Sequence, residues 1–169
     1  ASELVDAAAE LGRASGNPVT RAWTQSTRSE IAEVRGELAE AERLANEARE
    51  AFAQAGASWG LGRQLNRLAW IVRGQGDPRA AERWFRESIR VLQGIEDRGT
   101  LCESQRGLAE LLVQVGRLEE AEQLALEALR TVGPHDRISR ATTRATLAAV
   151  RAAQGKDGEA EALLREALE

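Results

Sequence analysis

The chain contains one short phrase four times: Gly36-Glu-Leu-Ala-Glu-Ala41-Glu42, Gly76-Asp-Pro-Arg-Ala-Ala81-Glu82, Gly116-Arg-Leu-Glu-Glu-Ala121-Glu122 and Gly155-Lys-Asp-Gly-Glu-Ala160-Glu161. The four glycines are 40, 40 and 39 residues apart. Self-similarity at such a period is typical of stacked repeats, in which each repeat buries its apolar face against its neighbours. The sequence therefore predicts a repeat architecture, and it favours a recognition surface over a reaction site.

Each of these glycines lies between two amphipathic stretches. Around Gly76, apolar residues recur at a spacing of three and four, which indicates a helix on either side; they are Leu61, Leu65, Leu68, Ala69 and Val72 before it and Ala81, Trp84, Phe85, Ile89 and Leu92 after it. Glycine suits the left-handed residue that ends the first helix. Asp77 and Pro78 suit the start of the second helix. Each repeat is therefore predicted to be a helix, a tight turn and a helix.

The predicted boundaries follow from capping residues at a constant distance from the glycines. Asn17, Asp97 and Asp136 each precede their glycine by 19 residues and can cap an incoming helix, and Ser58 and Asp157 are expected to cap two others. The first helices are predicted over 18–35, 58–75, 98–115 and 136–154, and the second helices over 37–54, 78–93, 117–132 and 157–168.

The repeats are predicted to form one domain over residues 1–169. They span 17–55, 57–95, 97–133 and 136–169. Residues 1–12 share the apolar pattern of a second helix, so they are expected to belong to a preceding repeat whose first helix is missing. This pattern predicts that the chain is a fragment of a longer protein.

Small residues recur at three fixed places in the repeats. The sets are Ala41, Ala81, Ala121 and Ala160; Ala48, Ser88, Ala128 and Ala167; and Ser29, Ala69, Ala109 and Ala148. Small side chains let two helices cross closely while larger neighbours fill the space around the contact. We therefore predict that these positions lie at helix crossings.

Composition excludes several functional classes. The net charge is −4, and arginines alternate with glutamates, a pattern typical of solvated, ion-paired faces rather than of nucleic-acid binding. No run of 18 apolar residues occurs, so no membrane-spanning segment is predicted. The one histidine and one cysteine, 33 residues apart, predict no zinc site, and no phosphate loop or nucleophile motif is present. We expect a cytoplasmic protein that is not an enzyme and holds no cofactor.

The repeats resemble the tetratricopeptide repeat. The resemblance rests on two series of residues, Leu68-Ala69, Gly76, Ala81, Phe85 and Ser88, and Leu108-Ala109, Gly116, Ala121 and Ala128. The period near 40 is similar to the elongated repeats of large bacterial signal-transduction ATPases and transcription activators. The resemblance implies an all-α fold, a right-handed α-solenoid of stacked antiparallel helix hairpins. Arg28, Arg144 and Arg151 depart from the pattern, since they occupy positions that are usually apolar.

The resemblance also implies where a partner binds. In such arrays the first helices line a concave groove that holds an extended peptide or a partner's helix. The groove residues expected here are Trp23, Ser26, Glu30, Glu33, Arg63, Asn66, Trp70, Arg73, Glu103, Arg106 and Glu110. Tryptophan and arginine often anchor interfaces. In the alternative interpretation, Trp70 packs between first helices and the arginines pair with Glu103 and Glu110. The lysine and asparagine pattern of the family's carboxylate clamp is not reproduced.

Four other residues are predicted to be structural. Trp84 is expected in the core and Cys102 is expected to be a small packing residue. His135 follows Gly133-Pro134 and is expected in an exposed loop. Trp59 is expected to cover the joint between repeats, although its exposure would suggest a contact patch.

The sequence is compatible with three functions. The first is a protein-interaction module that binds a peptide or helix of a partner. The second is the sensing segment of a multidomain regulator, in which a small molecule or another domain of the same polypeptide occupies the groove. The third is a structural array that associates weakly end to end.

Overall fold

The glycine of each repeated phrase ends a helix in the left-handed conformation. The φ angles of Gly36, Gly76, Gly116 and Gly155 are 76°, 87°, 76° and 75°. In the second repeat, the amide of Gly76 donates to the carbonyl of Arg73 and the amide of Asp77 donates to the carbonyl of Val72, each at 3.0 Å. These two bonds satisfy the last carbonyls of the helix, and the next helix begins at once.

The computed structural model describes residues 16–133 and 135–168, together with Ala7 and Glu10. These residues form eight α-helices, which are α1 (Pro18–Val34), α2 (Leu38–Gln54), α3 (Ser58–Gly74), α4 (Pro78–Leu92), α5 (Arg98–Gln114), α6 (Leu118–Thr131), α7 (Arg137–Ala153) and α8 (Asp157–Leu168). Every predicted boundary lies within one residue of the observed one, which confirms the all-α interpretation. The helix predicted over 1–12 lies, apart from Ala7 and Glu10, outside the described residues.

The helices form consecutive hairpins in two compact units, Ala1–Val91 and Leu92–Glu169. In the first unit, α1 packs on α2 and α2 packs on α3. In the second unit, α5 packs on α6 and α7, α6 packs on α7, and α7 packs on α8. Second helices thus contact the first helix that follows them, as expected for stacked repeats. The division into four repeats of a single domain stays a prediction.

Four of the predicted helix caps are confirmed, the first of them Asp77, whose carboxylate accepts from the amide of Ala80 at 2.9 Å. The carboxamide oxygen of Asn17 accepts from the amide of Val19 at 2.9 Å. The carboxylates of Asp97 and Asp136 accept from amides in the first turns of α5 and α7 at 3.1 and 3.0 Å. Each bond satisfies an amide that has no partner within its own helix.

The other two predicted caps are wrong. Helix α3 begins at Ser58 itself, and Ala57, which precedes it, makes no side-chain capping bond. Helix α8 likewise begins at Asp157, so Lys156 occupies the position before it. At both places the predicted start of the helix is right and only the cap is wrong, because Ala57 has no side chain that could cap α3 and Asp157 already belongs to the first turn of α8.

The small residues lie at helix crossings, as predicted. Ala41, Ala81 and Ala121 have no exposed surface, and the same is true of Ser29, Ala69 and Ala109 on the first helices. The hydroxyl of Ser29 donates to the carbonyl of Ala41 at 2.8 Å, so α1 and α2 touch at this point. Ala167, near the end of α8, is the exception among these sets, because it is partly exposed.

Two of the three arginines at usually apolar positions form ion pairs, whereas Arg28 donates a hydrogen bond of 3.2 Å to the side chain of Gln25. Arg151 on α7 pairs with Glu122 of α6 at 2.8 Å and with Glu159 of α8 at 3.2 Å. Arg144 on α7 pairs with Glu166 of α8 at 3.5 Å. The stems of these side chains cover apolar surface while their charged ends reach acidic neighbours. The fourth hairpin therefore keeps its helix packing despite the departure from the family pattern.

Candidate interaction surface

Helix α3 presents aromatic and basic side chains on its outer side. Leu65, Leu68, Ala69, Ile71 and Val72 are buried on the opposite side. The residues that reach solvent recur at spacings of three and four, and we call them the α3 face: Trp59, Arg63, Arg67, Trp70 and Arg73. Helix α3 contains three arginines and no acidic residue. The α3 face therefore combines apolar contact area with positive charge, the two properties that interface anchors most often share.

Two arginines of the α3 face lie over tryptophan rings. The guanidinium carbon of Arg63 is 6.0 Å from the ring centroid of Trp59, and that of Arg73 is 5.0 Å from the ring centroid of Trp70. Such contacts contribute about 0.5–1 kcal/mol at exposed sites and restrict the orientation of the guanidinium group. The positive charges are thus held beside aromatic surface.

Arg67 connects the α3 face to α1. Its guanidinium group pairs with Glu33 at 3.1 Å and also with Glu30. The Arg67 side chain retains 24% of its exposure. Two of the predicted groove residues, Glu30 and Glu33, are therefore brought together by an arginine that sequence reasoning missed.

Trp70 and Trp23 are only partly exposed, because each packs on a phenylalanine. Trp70 meets Phe85 of α4 edge-on, with centroids 5.3 Å apart. Trp23 meets Phe52 of α2 edge-on at 5.3 Å and contacts the ring of Trp59 at 5.0 Å. Both tryptophans thus combine a structural contact with residual exposure.

Trp59 is the most exposed of the aromatic residues in this region. It retains 41% of its exposure while it packs against Trp23. This exposure agrees with the contact-patch interpretation of Trp59 more than with a purely covering role. Position 59 extends the α3 face by one helical turn beyond Arg63.

Two residues expected in the groove are buried instead. Ser26 and Asn66 retain only 2% and 6% of their exposure. The hydroxyl of Ser26 on α1 accepts a hydrogen bond of 2.7 Å from the side-chain amide nitrogen of Gln64 on α3. Spacing alone does not distinguish Asn66 from Arg67, since each fits the period between Arg63 and Trp70. The charge of Arg67 was the sequence signal that favoured it for the outer side.

Two of the three predicted residues of α5 form a local network. Glu103 is exposed, whereas Arg106 and Glu110 are half-buried and pair with each other. The carboxylate of Glu110 also accepts from the hydroxyl of Thr146 on α7 at 3.2 Å. Arg106 therefore pairs locally, as the alternative interpretation expected, and Glu110 connects two neighbouring first helices.

Trp84, Cys102 and His135, which were predicted to be structural, lie in three different environments. Trp84 is half-buried and packs against a cluster that includes Ala41, Leu44 and Leu68, so it lies at the edge of the core rather than inside it. Cys102 is 2% exposed, and burial raises the pKa of its thiol. His135 is exposed in the turn before α7, as expected.

Metal-binding and membrane-spanning features are absent from the described part of the chain. There, no group of three or more histidine, cysteine, aspartate or glutamate side chains has an arrangement that could hold a metal ion. Within the same residues, no helix has the length and apolar character needed to cross a membrane.

Comparison with known proteins gives a consistent classification. A family model described as the MalT-like TPR region matches residues 14–169. The structure is similar to BtubC (BKLC) from P. vanneervenii, with a TM-score of 0.79 and 19% identity over 89% of this chain. It is also similar to the TPR-like repeats of a putative kinesin light chain from Podosopora anserina, with a TM-score of 0.74 and 18% identity over 98% of this chain.

These structures differ in length from the chain. The chain covers 84% of the kinesin light chain structure and 63% of BtubC, which is less than two thirds of that protein. At such identities the likeness shows the fold. The search of curated protein sequences found no match.

Proposed function

Because the chain belongs to the family of MalT-like TPR regions, we propose that it is a non-catalytic scaffold that binds a peptide or helix of a partner protein through its first helices. Repeat arrays present extended surfaces made of equivalent helices, and such surfaces suit elongated partners. The partner is a separate protein or another domain of the same polypeptide.

One observation carries the proposal, the composition of the α3 face. Trp59 retains 41% of its exposure, and Arg63 and Arg73 lie over the rings of Trp59 and Trp70. Aromatic rings bury a large area at a small entropic cost, and arginine binds carboxylates through two parallel hydrogen bonds. A peptide that places an apolar side chain against Trp59 and a carboxylate near Arg63 or Arg73 would use both properties.

Trp23 on α1 and Glu103, Arg106 and Glu110 on α5 are proposed as further partner contacts. They lie on first helices, where Trp23 packs on Phe52 and Arg106 pairs with Glu110. Asn66 is left out, since its side chain is 6% exposed.

Selection from a random peptide display library tests the proposal. Binders are selected on the whole chain, and their affinities are then measured by fluorescence anisotropy for the chain and for the variant R63Q/R73Q. We expect this variant to bind at least about tenfold more weakly, which corresponds to about 1.4 kcal/mol. The matched control is R130Q/R165Q, which removes two exposed arginines from α6 and α8 and leaves the same net charge.

The control should change the affinity by less than about twofold, since rim charges away from a contact affect binding little. Circular dichroism must show that both variants keep the helical content and the unfolding temperature of the chain. Selected peptides that bind R63Q/R73Q as tightly as the unchanged chain would contradict the placement of the site on the α3 face.

A further inference from the structure

Helix α4 carries a row of arginines that the proposed function does not use. Arg79, Arg83, Arg86 and Arg90 are all exposed and follow one another at spacings of four, three and four residues. This spacing places them on one side of the helix over a length of about 16 Å. We call these four residues the α4 row.

Local acidic residues neutralise only part of the α4 row. Arg86 pairs with Glu82 at 2.8 Å, and Arg90 approaches Glu87 at 3.7 Å. Within the described residues, no ion pair is found for Arg79 or Arg83. The four positive charges of the α4 row thus face only two negative charges on the same helix, those of Glu82 and Glu87.

The same part of the row borders a surface depression. Its volume is about 420 Å³, and it is lined by Asp77, Arg79, Ala80, Glu82, Arg83 and Arg86. The carboxylate of Asp77 already accepts from the amide of Ala80 at 2.9 Å, and Glu82 pairs with Arg86. Three arginines therefore outnumber two carboxylates around a space that can receive an acidic side chain from another molecule.

The other repeats provide an internal comparison. If the fold required arginine at these four places, the equivalent positions of the other second helices would carry it too. They are Ala39, Arg43, Asn46 and Glu50 on α2, Glu119, Gln123, Leu126 and Arg130 on α6, and Gly158, Ala162 and Arg165 on α8. Each of these helices has one arginine in the set, whereas α4 has four. Packing therefore does not explain the α4 row.

We propose that the α4 row binds an acidic α-helix of a partner protein. Complementary charges steer such a partner to the row and fix its register. A helix with carboxylates at the same spacing would place them opposite the four guanidinium groups. The site is separate from the α3 face, so it extends the scaffold function to a second contact on the other helix of the same hairpin.

The width of the basic surface favours an acidic helix over a nucleic acid. The row is one helix wide, and α2, in the same compact unit, carries four glutamates and two arginines. The whole chain has a net charge of −4. A broad polyanion would meet this negative surface, whereas a slender helix can lie along the row alone.

A designed pair of peptides tests the proposal. The first is an alanine-based helix of about 16 residues with four glutamates at spacings of four, three and four, and the second has glutamine at those positions. Binding to the whole chain is measured by fluorescence anisotropy at low ionic strength and at about 150 mM NaCl. We expect the glutamate peptide to bind at least about tenfold more tightly than the glutamine peptide.

The variants separate the row from general charge effects. R79Q/R83Q/R86Q/R90Q should lose at least about tenfold in affinity for the glutamate peptide. R43Q/R98Q/R130Q/R165Q, which removes four exposed arginines elsewhere, should stay within about twofold, although its net charge is the same. R63Q/R73Q should also bind the peptide normally, so a failure of the proposed function would not be confused with a failure of this one.

Three results would overturn the proposal. In the first, both four-residue variants lose the same affinity for the glutamate peptide, which would show that binding depends on net charge and not on the α4 row. In the second, a single-stranded oligonucleotide of about 20 nucleotides competes and binds more tightly than the peptide, which would identify a nucleic acid as the occupant. In the third, the peptide does not bind and sedimentation shows self-association that the α4 variant abolishes, which would identify a second copy.

Discussion

The hydroxyl of Ser88 on α4 donates a hydrogen bond of 2.8 Å to the backbone carbonyl of Gly62 on α3. Both residues are buried, and the bond marks the point where the two helices of the second hairpin cross. In the third hairpin the equivalent pair is Ala128 and Cys102, where the thiol lies 3.6 Å from the carbonyl of Ala128. The two helices thus approach closely in both hairpins, although the polar contact at the crossing differs between them.

Replacement of Ser88 by alanine should cost little. Alanine occupies the equivalent positions 48 and 128, so the crossing accepts its size, and only the hydrogen bond is lost. We expect the free energy of unfolding to fall by about 0.5–1.5 kcal/mol in urea denaturation. Ser88→Val is the informative comparison, because valine adds a methyl group at a closely packed crossing. We expect it to lower the free energy of unfolding by about 1–3 kcal/mol. Equal losses for both variants would show that the hydrogen bond, not volume, limits this position.

Gly60 is predicted to resist substitution. A Cβ atom at this position would lie 2.4 Å from the ring of Phe52, which is fully buried and held by Trp23. Although alanine normally stabilises a helix relative to glycine by about 1 kcal/mol, we expect Gly60→Ala to lower the free energy of unfolding by about 1–3 kcal/mol.

Gly99→Ala is the matched control, since Gly99 lies in the first turn of α5 and its nearest atom, in Asp97, would be 3.8 Å away. It should be neutral or stabilising by up to about 1 kcal/mol. Gly60→Ala would contradict the close approach of α3 to Phe52 if it were as stable as the control.

Ala121 should not accept a larger side chain. It has no exposed surface and lies at the crossing of α6 with a neighbouring helix. Ala121→Leu is expected to cost about 1–3 kcal/mol in urea denaturation, because the added carbons must displace packed neighbours. Ala162→Leu on α8, where alanine is exposed, should change stability by less than about 0.5 kcal/mol. A neutral Ala121→Leu would refute the predicted role of small residues at crossings.

Glu122 should make stability depend on acid pH. A hydrogen bond from Gln154 and the charge of Arg151 lower the pKa of Glu122 below its ordinary value of 4.5. The unfolded chain therefore binds this proton more readily than the folded chain. The contribution of Glu122 is fully present above pH 4.5 and is lost as the pH falls through its folded pKa.

Glu122→Gln should consequently lose less stability between about pH 5 and pH 3 than the unchanged chain does. Urea denaturation at constant ionic strength measures this difference at each pH. Glu119→Gln, an exposed neighbour on α6, serves as the control and should follow the unchanged chain. A variant at Glu122 with the same acid sensitivity as the unchanged chain would show that the ion pair is not coupled to folding.

The fold could be predicted from the sequence because local signals agree at every level. The turn glycines, the capping residues Asn17, Asp97 and Asp136, and the helical apolar spacing all report on contacts within a few residues. The two capping errors arose where the local signal was weak, at Ser58 and Asp157. There the helix starts without a confirming side-chain bond, so the choice between neighbouring residues had no local basis.

The surface could be predicted only in part. Exposure of a helical side chain depends on how the helix is rotated relative to its neighbours, and spacings of three and four leave a rotation of one residue undecided. Asn66 and Arg67 show the consequence, since the first is buried and the second pairs with Glu30 and Glu33. The contacts of Arg63 and Arg73 with tryptophan rings require the actual side-chain directions, which a linear pattern does not contain.

The burial of Cys102 gives the chain an intrinsic reporter of its own opening. Cys102 is the only cysteine in the sequence. It lies at the α5–α6 crossing, where burial raises the pKa of its thiol and so favours the neutral form. The thiolate is the form that attacks an alkylating reagent, so modification must await a fluctuation that separates these helices. The rate of labelling by such a reagent therefore measures how often α5 and α6 of the third hairpin separate, without any engineered probe.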